Sequence, residues 1–288
     1  MKTIITHFYN EEYLLPRWLK HHRQYFDYGI LIDYHSTDRS REICKEICPD
    51  WTVVTSRNHE FDAIECDAEV LDYEKELPGW KISLTTTEFL VGDVAGLMSE
   101  DLPEPTSRWS DDNSREYFIR VNAFYAWNPK GTLDPDLPLW NQLKFGVDCY
   151  AHHWHFRSRV LYNHKFMTYD THGRHFSTVN TNYAYVFKYS NAIASPEMLK
   201  RRLQIQDRVS ERDLKEHRGW HHCKQRDEDT DRNFTEEKLF RQLLNGNHLI
   251  TDCTTIIKHA LWSGRNSPDE NFLWPTPWVG TTTPVDLS

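Results

Sequence analysis

The chain lacks the marks of several protein classes. No apolar run approaches the ~18 residues that cross a bilayer, and mean hydropathy is −0.73, so no membrane span is expected. No block of Lys and Arg stands out, and the formal net charge is −9 with His neutral. A nucleic-acid binder shows a basic footprint, so nucleic acid is not an expected partner. The six cysteines, Cys44, Cys48, Cys66, Cys149, Cys223 and Cys253, form no CxxC pair, which argues against a zinc ribbon. Cys44 and Cys48 stand one helical turn apart and read as packed thiols, which suits a reducing cytosol. Met1-Lys2-Thr3 leads straight into an apolar run without a signal-peptide profile.

What is present is enough for a core. The chain has 288 residues, 39% of them hydrophobic, sufficient for one large domain or a domain with an appendage. Eleven Trp, fourteen Tyr and sixteen His are an unusual population. Exposed rings of this kind stack on the C–H faces of sugars, and the same rings also serve plain packing.

The opening reads strand, polar turn, helix, strand, polar turn, helix. Thr3-Ile-Ile-Thr6 is short and β-branched, as in a buried parallel strand. Leu14, Leu15, Trp18, Leu19 and His22 recur at helical spacing, with Pro16 in the first turn. Gly29–Asp33 is a second strand, after which Ser36 or Thr37 can cap a helix carrying Ile43, Cys44, Ile47 and Cys48. Asn10-Glu-Glu12 and Asp33–Asp38 thus fall at the carboxyl ends of neighbouring parallel strands, where open α/β sheets bind ligands.

Trp51–Thr55 reads as a third strand. A helix with Ala63, Cys66, Val70 and Tyr73 on one face and acids outward ends at Gly79. Trp80–Thr87 reads as a fourth strand, residues 93–115 as a surface loop, and Tyr117–Tyr125, Arg157–Tyr162 and Tyr183–Tyr189 as further strands. From Pro196 charged helical segments are expected, including 236–244 and 254–262. The expected organisation is an α/β core over residues 1–190, with a helical region over 191–288 packed on it.

Tyr9-Asn-Glu-Glu12, then a helix, then Ile32-Asp-Tyr-His-Ser-Thr-Asp38, resembles the start of a family 2-type glycosyltransferase with the GT-A fold. The resemblance covers residues 3–92 well. It implies a Rossmann-like, mostly parallel sheet flanked by helices, a nucleoside-diphosphate sugar as donor, and a glycan or lipid-linked acceptor in polysaccharide biosynthesis. Hexosyl and pentosyl transfer both stay open. Arg157-Ser-Arg159, Gly173-Arg-His175 and Arg201–Arg208 are similar to stretches of related proteins, less specifically.

The residues allow two readings at most positions. Asp33 can accept hydrogen bonds from a base or ribose, or cap the next helix. His7, Tyr9, Asn10 and Glu12 can position the same nucleotide, while Asn10–Glu12 equally suit a helix start. Arg57 can face the diphosphate or form an exposed salt bridge, and Asp62 follows in the same segment. Arg174 and His175, beside the flexible Gly173, are candidate partners of the leaving phosphates. An inverting transfer needs a carboxylate base; Asp170 is the first candidate and Asp148 the second.

The chain departs from the family at the metal. The related subgroup carries Asp-x-Asp-Glu-Phe-Leu, and here Leu84-Thr-Thr-Thr-Glu-Phe-Leu90 stands in its place, with Thr85 and Thr87 at the aspartate positions. Threonine hydroxyls are poor ligands for Mg²⁺ or Mn²⁺. Glu88 remains as a metal ligand, Thr87 as a donor contact, and metal-independent chemistry is an open alternative. Two rival functions are a sugar-phosphate nucleotidyltransferase and a catalytically degenerate carbohydrate- or nucleotide-binding protein. The first opens with a Gly-rich loop, and Phe8–Glu12 contains no Gly.

Overall fold

In the computed structural model the described residues are 1–99, 116–123, 133–134, 136–143, 145–147, 158–163, 181–189, 200–201, 203–216 and 250–252. They form an α/β fold around an eight-stranded sheet. The strands are β1 (Lys2–Phe8), β2 (Tyr28–Asp33), β3 (Thr52–Thr55), β4 (Trp80–Ser83), β5 (Glu88–Gly92), β6 (Glu116–Ala123), β8 (Ser158–Tyr162) and β9 (Thr181–Lys188). Their order is β3-β2-β1-β4-β8-β6-β9-β5. A separate antiparallel pair joins β7 (Phe145–Val147) to β10 (Ile250–Asp252).

The first half is built of parallel crossover units, as β-branched runs separated by amphipathic helices dictate. β1, β2, β3 and β4 run parallel. β8 is antiparallel to β4 and β6, β9 is parallel to β6, and β5 is antiparallel to β9. The order reverses between β1 and β4, a topological switch point that opens a crevice at the carboxyl ends. Gly29 lets β2 pass the Trp51 ring, since a Cβ there would sit 2.2 Å from it.

Helix α1 (Leu15–His22) buries Leu15, Trp18 and Leu19 in the main core. Each such side chain contributes about 1.5–3 kcal/mol. Helix α2 (Ser40–Ile47) begins later than expected. Neither Ser36 nor Thr37 caps it; Arg39 stands at its N-cap without a side-chain bond. Helix α3 (Ala63–Glu76) is capped by Asp62. Its acids are not all outward, because Glu69 and Glu74 are buried.

The expected strand Trp80–Thr87 is shorter: β4 stops at Ser83, residues 84–87 leave the strand, and a separate strand β5 starts at Glu88 on the far edge of the sheet. The expected loop from residue 93 begins with a helical turn, α4 (Val94–Leu97), held by the Asp93 carboxylate. Short helices α5 (Leu139–Gln142) and α6 (Glu211–Lys215) complete the described elements. No described helix is long and apolar enough to cross a membrane. Cys44, Cys48 and Cys66 are free and buried. Burial pushes Cys44 and Cys66 up to about 12 and Cys48 to about 11, so these thiols stay protonated.

An open sheet edge needs cover, and α1 supplies it for β5. Trp18 Nε1–H donates to Glu88 O at 2.9 Å, and His21 Nε2–H to Leu90 O at 2.7 Å. Leu90 N–H donates to His22 Nε2 at 3.2 Å, while His22 Nδ1–H donates to Trp18 O at 3.0 Å. Both imidazoles are therefore neutral, in opposite tautomers. Burial lowers His21 to about 4 and His22 well below its ordinary value, against the opposing pull of the carbonyls.

That burial sets a pH window. Unfolded imidazoles take up protons below about pH 6.5 that the folded ones refuse, so stability falls as pH drops from about 6.5 towards 4. His21 alone accounts for about 3 kcal/mol of that loss. Urea unfolding from pH 7.5 to 4.5 should show the decline, reduced in His21→Gln, which keeps a donor for Leu90 O. A flat profile in the native protein contradicts the assignment.

Candidate functional site

One edge of the sheet gathers the polar residues. The parallel register Phe8↔Asp33↔Thr55 aligns the carboxyl ends of β1, β2 and β3, and β4 ends beside them. β6 and β9 end on the same edge, with Ala123 opposite Lys188. Antiparallel β8 starts there, which brings Arg159 to the end of β4.

The loops after β1 and β2 are interlocked. Asn10 N–H donates to Ser36 Oγ at 2.9 Å, Glu11 N–H to Ser40 Oγ at 2.7 Å, and Glu12 N–H to Asp38 Oδ2 at 3.1 Å. In return Asn10 Oδ1 accepts Thr37 N–H at 2.7 Å and Asp38 N–H at 3.3 Å. Glu12 Oε2 accepts Arg39 N–H at 3.3 Å. Asn10 and His35 both sit in the left-handed region, φ 50° and 59°, which short polar side chains tolerate best. Asn10–Glu12 do not cap α1; Leu14 stands at its N-cap, and Glu11 O accepts the N–H groups of Leu14 and Leu15.

Asp33 lies at the base of this interlock, buried. Its Oδ1 accepts Ser36 N–H at 2.8 Å, a turn within its own loop, and its Oδ2 receives Arg41 Nη1 at 3.1 Å. Tyr34 meets the His7 ring edge-on at 5.6 Å, and His35 stacks on exposed His59 at 4.7 Å. Thus His7, Tyr9, Asn10, Glu12 and Asp33 are brought together at one edge.

Arg57 and Asp62 are engaged elsewhere. Arg57 Nη1 pairs with Asp72 at 2.8 Å, both half exposed, the salt bridge that its exposed position allowed. Asp62 accepts Ile64 and Glu65 N–H groups at 3.0 and 3.2 Å as the cap of α3, and binds Ser210 and Arg212. Burial would raise its carboxyl, but these bonds hold it at about 2. Asp148, Asp170, Arg174 and His175 lie outside the described residues.

Sequence reasoning missed a strap, residues 203–216, across the strand ends. Gln204 Nε2–H donates to Tyr9 O and Asn10 O, both at 2.8 Å. Arg208 donates to Tyr34 O and, at 2.6 Å, to His59 O, with its guanidinium 4.6 Å from the Tyr9 ring. Val209 bridges to Phe61 in parallel. Just before it, Arg201 pairs with Glu11 at 2.5 Å. The run of Arg and Gln in 201–208 was the available signal. Glu69 was missed too: it turns inward and takes Ser56 Oγ–H at 2.6 Å and Arg57 N–H at 2.9 Å, fixing the loop after β3.

The turn after β4 does not fit a divalent metal. The hydroxyls of Thr85 and Thr87 lie 3.0 Å apart and bond to each other. Glu88, 0% exposed, receives Arg159 Nε at 2.8 Å and Arg159 Nη2 at 2.6 Å, one on each oxygen. Lys188 stands 3.6 Å away, and Thr85 N–H adds a bond at 3.1 Å. Burial alone would raise Glu88; the two cations pull it down to about 2 instead. Its carboxylate is the counter-ion of a buried guanidinium, which corrects the expectation of a metal ligand. Among the described residues no group of three or more His, Cys, Asp or Glu could hold a metal ion.

Removing Glu88 takes the bidentate carboxylate from a buried guanidinium. Glu88→Ala should lower stability by about 3–5 kcal/mol, and Asp62→Ala by about 1–2 kcal/mol through the lost cap. Urea unfolding checks both, and a Glu88→Ala protein as stable as the native one contradicts the ion-pair role.

No protein-family model matches the chain, and no curated protein does. Among solved structures it is similar to S. aureus TarS 1-349, at 15% identity over 46% of this chain and 39% of that one, TM-score 0.33. It is similar to the same protein in complex with UDP-GlcNAc, at 15% identity over 49% and 42%, TM-score 0.32. The complex with UDP gives 13% identity over 56% and 46%, TM-score 0.34. The chain thus spans less than half the length of these structures, and a likeness of this extent carries no argument about activity.

Proposed function

We propose that the protein is a GT-A-type glycosyltransferase, moving a sugar from a nucleoside-diphosphate donor to a glycan or lipid-linked acceptor. The observation that carries the reading is the interlocked pair of loops, Asn10–Glu12 and Asp33–Asp38, at the switch point of a parallel sheet. Both loops carry the motifs on which the resemblance rests.

In this reading His7, Tyr9, Asn10 and Asp33 face the nucleoside, and Arg208 and Gln204 wall the same edge. Arg174 and His175 meet the leaving phosphates. The acceptor hydroxyl oxygen attacks the anomeric carbon while the bond from that carbon to the diphosphate breaks. Nucleoside diphosphate departs with the bonding pair, and the hydroxyl proton passes to Asp170, or to Asp148. The sugar inverts at the anomeric carbon. We place residues 1–190 as the donor-and-acceptor core, 191–288 as the region packed on it, and the protein in the cytosol, where free buried thiols persist.

The divergent Thr85-Thr-Thr-Glu88 turn favours a second reading, a degenerate protein that binds nucleotide sugar without turnover. A panel of nucleotide sugars separates them. Release of nucleoside diphosphate, raised by an acceptor glycan, supports transfer; binding without turnover supports the second reading, and neither binding nor turnover contradicts both. Asp33→Asn should weaken nucleoside diphosphate binding by about tenfold or more, as loss of a charged hydrogen-bond acceptor does, alongside a lower melting temperature from the lost Arg41 pair. Unchanged affinity with a lower melting temperature would assign Asp33 to its turn alone.

A further inference from the structure

Arg208 of the strap holds carbonyls from two different loops. Its Nη1–H donates to Tyr34 O, just past β2, and its Nη2–H to His59 O at 2.6 Å, past β3. A guanidinium is a rigid planar fork, so it closes on both only while the loops keep a fixed spacing. The same loops touch through the His35 and His59 rings, stacked at 4.7 Å. What sets the spacing lies beneath them.

Glu69, on the inner side of α3, is 3% exposed. Its carboxylate accepts Ser56 Oγ–H at 2.6 Å, Arg57 N–H at 2.9 Å, Asn58 Nδ2–H at 3.1 Å and the Tyr34 hydroxyl at 3.5 Å. Burial pushes the Tyr34 phenol up, so it stays a donor. All of these partners belong to the two loops that Arg208 spans. Burying a carboxylate costs far more than burying an apolar side chain of its size, so packing alone does not account for Glu69. As a pure acceptor it can gather donors from several directions at once.

We infer that Glu69 is a positioning residue of the nucleotide edge: it pins the loops after β2 and β3 at the spacing that Arg208 bridges, and so holds the strap against the site. The inference rests on the reading that this edge takes a nucleoside diphosphate, while the hold on the strap exists without ligand. The other end of the strap is fastened separately. Ser210 Oγ–H and Arg212 Nε–H donate to Asp62 Oδ2, both at 2.8 Å, and Ala63 N–H donates to Asp213 Oδ2 at 2.7 Å. Loss of Glu69 therefore loosens residues 203–208 and leaves 210–216 in place.

Two measurements on the full chain test it. Hydrogen exchange without ligand compares the native protein with Glu69→Gln, Arg208→Gln and the double variant. Glu69→Gln keeps the side-chain volume but sets an amide NH₂ against the donors. Exchange over residues 203–208 should quicken about tenfold in each single variant, as loss of one charged hydrogen bond does, with 210–216 near native rates and no further gain in the double variant. Ser56→Ala, which removes the 2.6 Å bond from the loop side, should give the same pattern. Native exchange over 203–208 in both Glu69→Gln and Ser56→Ala, or an equal rise over 210–216, overturns the inference.

Calorimetry then follows UDP, GDP, CDP and ADP, with melting curves establishing that the variants are folded. For the diphosphate that binds, affinity should fall about tenfold in Glu69→Gln and in Arg208→Gln. The double variant should bind no more weakly than the weaker single one, because residues acting through one contact do not add. Additive losses, or unchanged affinity in Glu69→Gln, overturn the inference. Failure of all these nucleotides to bind the native protein instead overturns the donor reading, and the role at the nucleotide edge with it, while the exchange rates still decide the hold on the strap.

Discussion

The structure depends on one mutual bond set: Asn10 and Ser36–Asp38 hold each other. Neither loop is stable in its conformation alone, because each has a residue in the left-handed region and backbone donors turned away from regular structure. Together they satisfy those donors with Ser, Asn and Asp oxygens at 2.7–3.3 Å. The strap depends on this interlock in turn. Gln204 reads the carbonyls of Tyr9 and Asn10, and Arg208 reads that of Tyr34, groups presented only when the two loops are in place.

Charge is distributed with the same economy. The interlock carries several carboxylates, with Asp33 paired to Arg41 and Glu11 to Arg201. Across the switch point Glu88 is paired to Arg159, with Lys188 beside it. The histidines of α1 are outside this scheme: His21 and His22 close the β5 edge and are held neutral by burial.

Much of the fold was legible where local pattern and tertiary role coincide. β1, β2 and β3 are short β-branched runs, and α1 shows its core face at helical spacing. What failed was read across distance. Thr85–Thr87 continue a β-prone run, so β4 looked longer than it is; past Ser83 the chain turns to bring Glu88 to Arg159, 71 residues away in the chain. Glu69 sits among outward acids of α3, and only the loop after β3 shows why it turns in. Ser36 has the chemistry of a helix cap, yet Asn10 from another loop claims its hydroxyl. Asp33 combined two legible roles, since a turn carboxylate and a ligand-facing carboxylate need the same residue at the same strand end.

The central claim is that the interlocked carboxyl edge holds a nucleoside diphosphate. A crystal structure of the protein soaked with the tightest-binding nucleoside diphosphate tests it most directly. Density is expected at the switch point, with the nucleoside against Tyr9, Asn10 and Asp33. A nucleotide bound elsewhere on the sheet, with this edge unchanged, would contradict it.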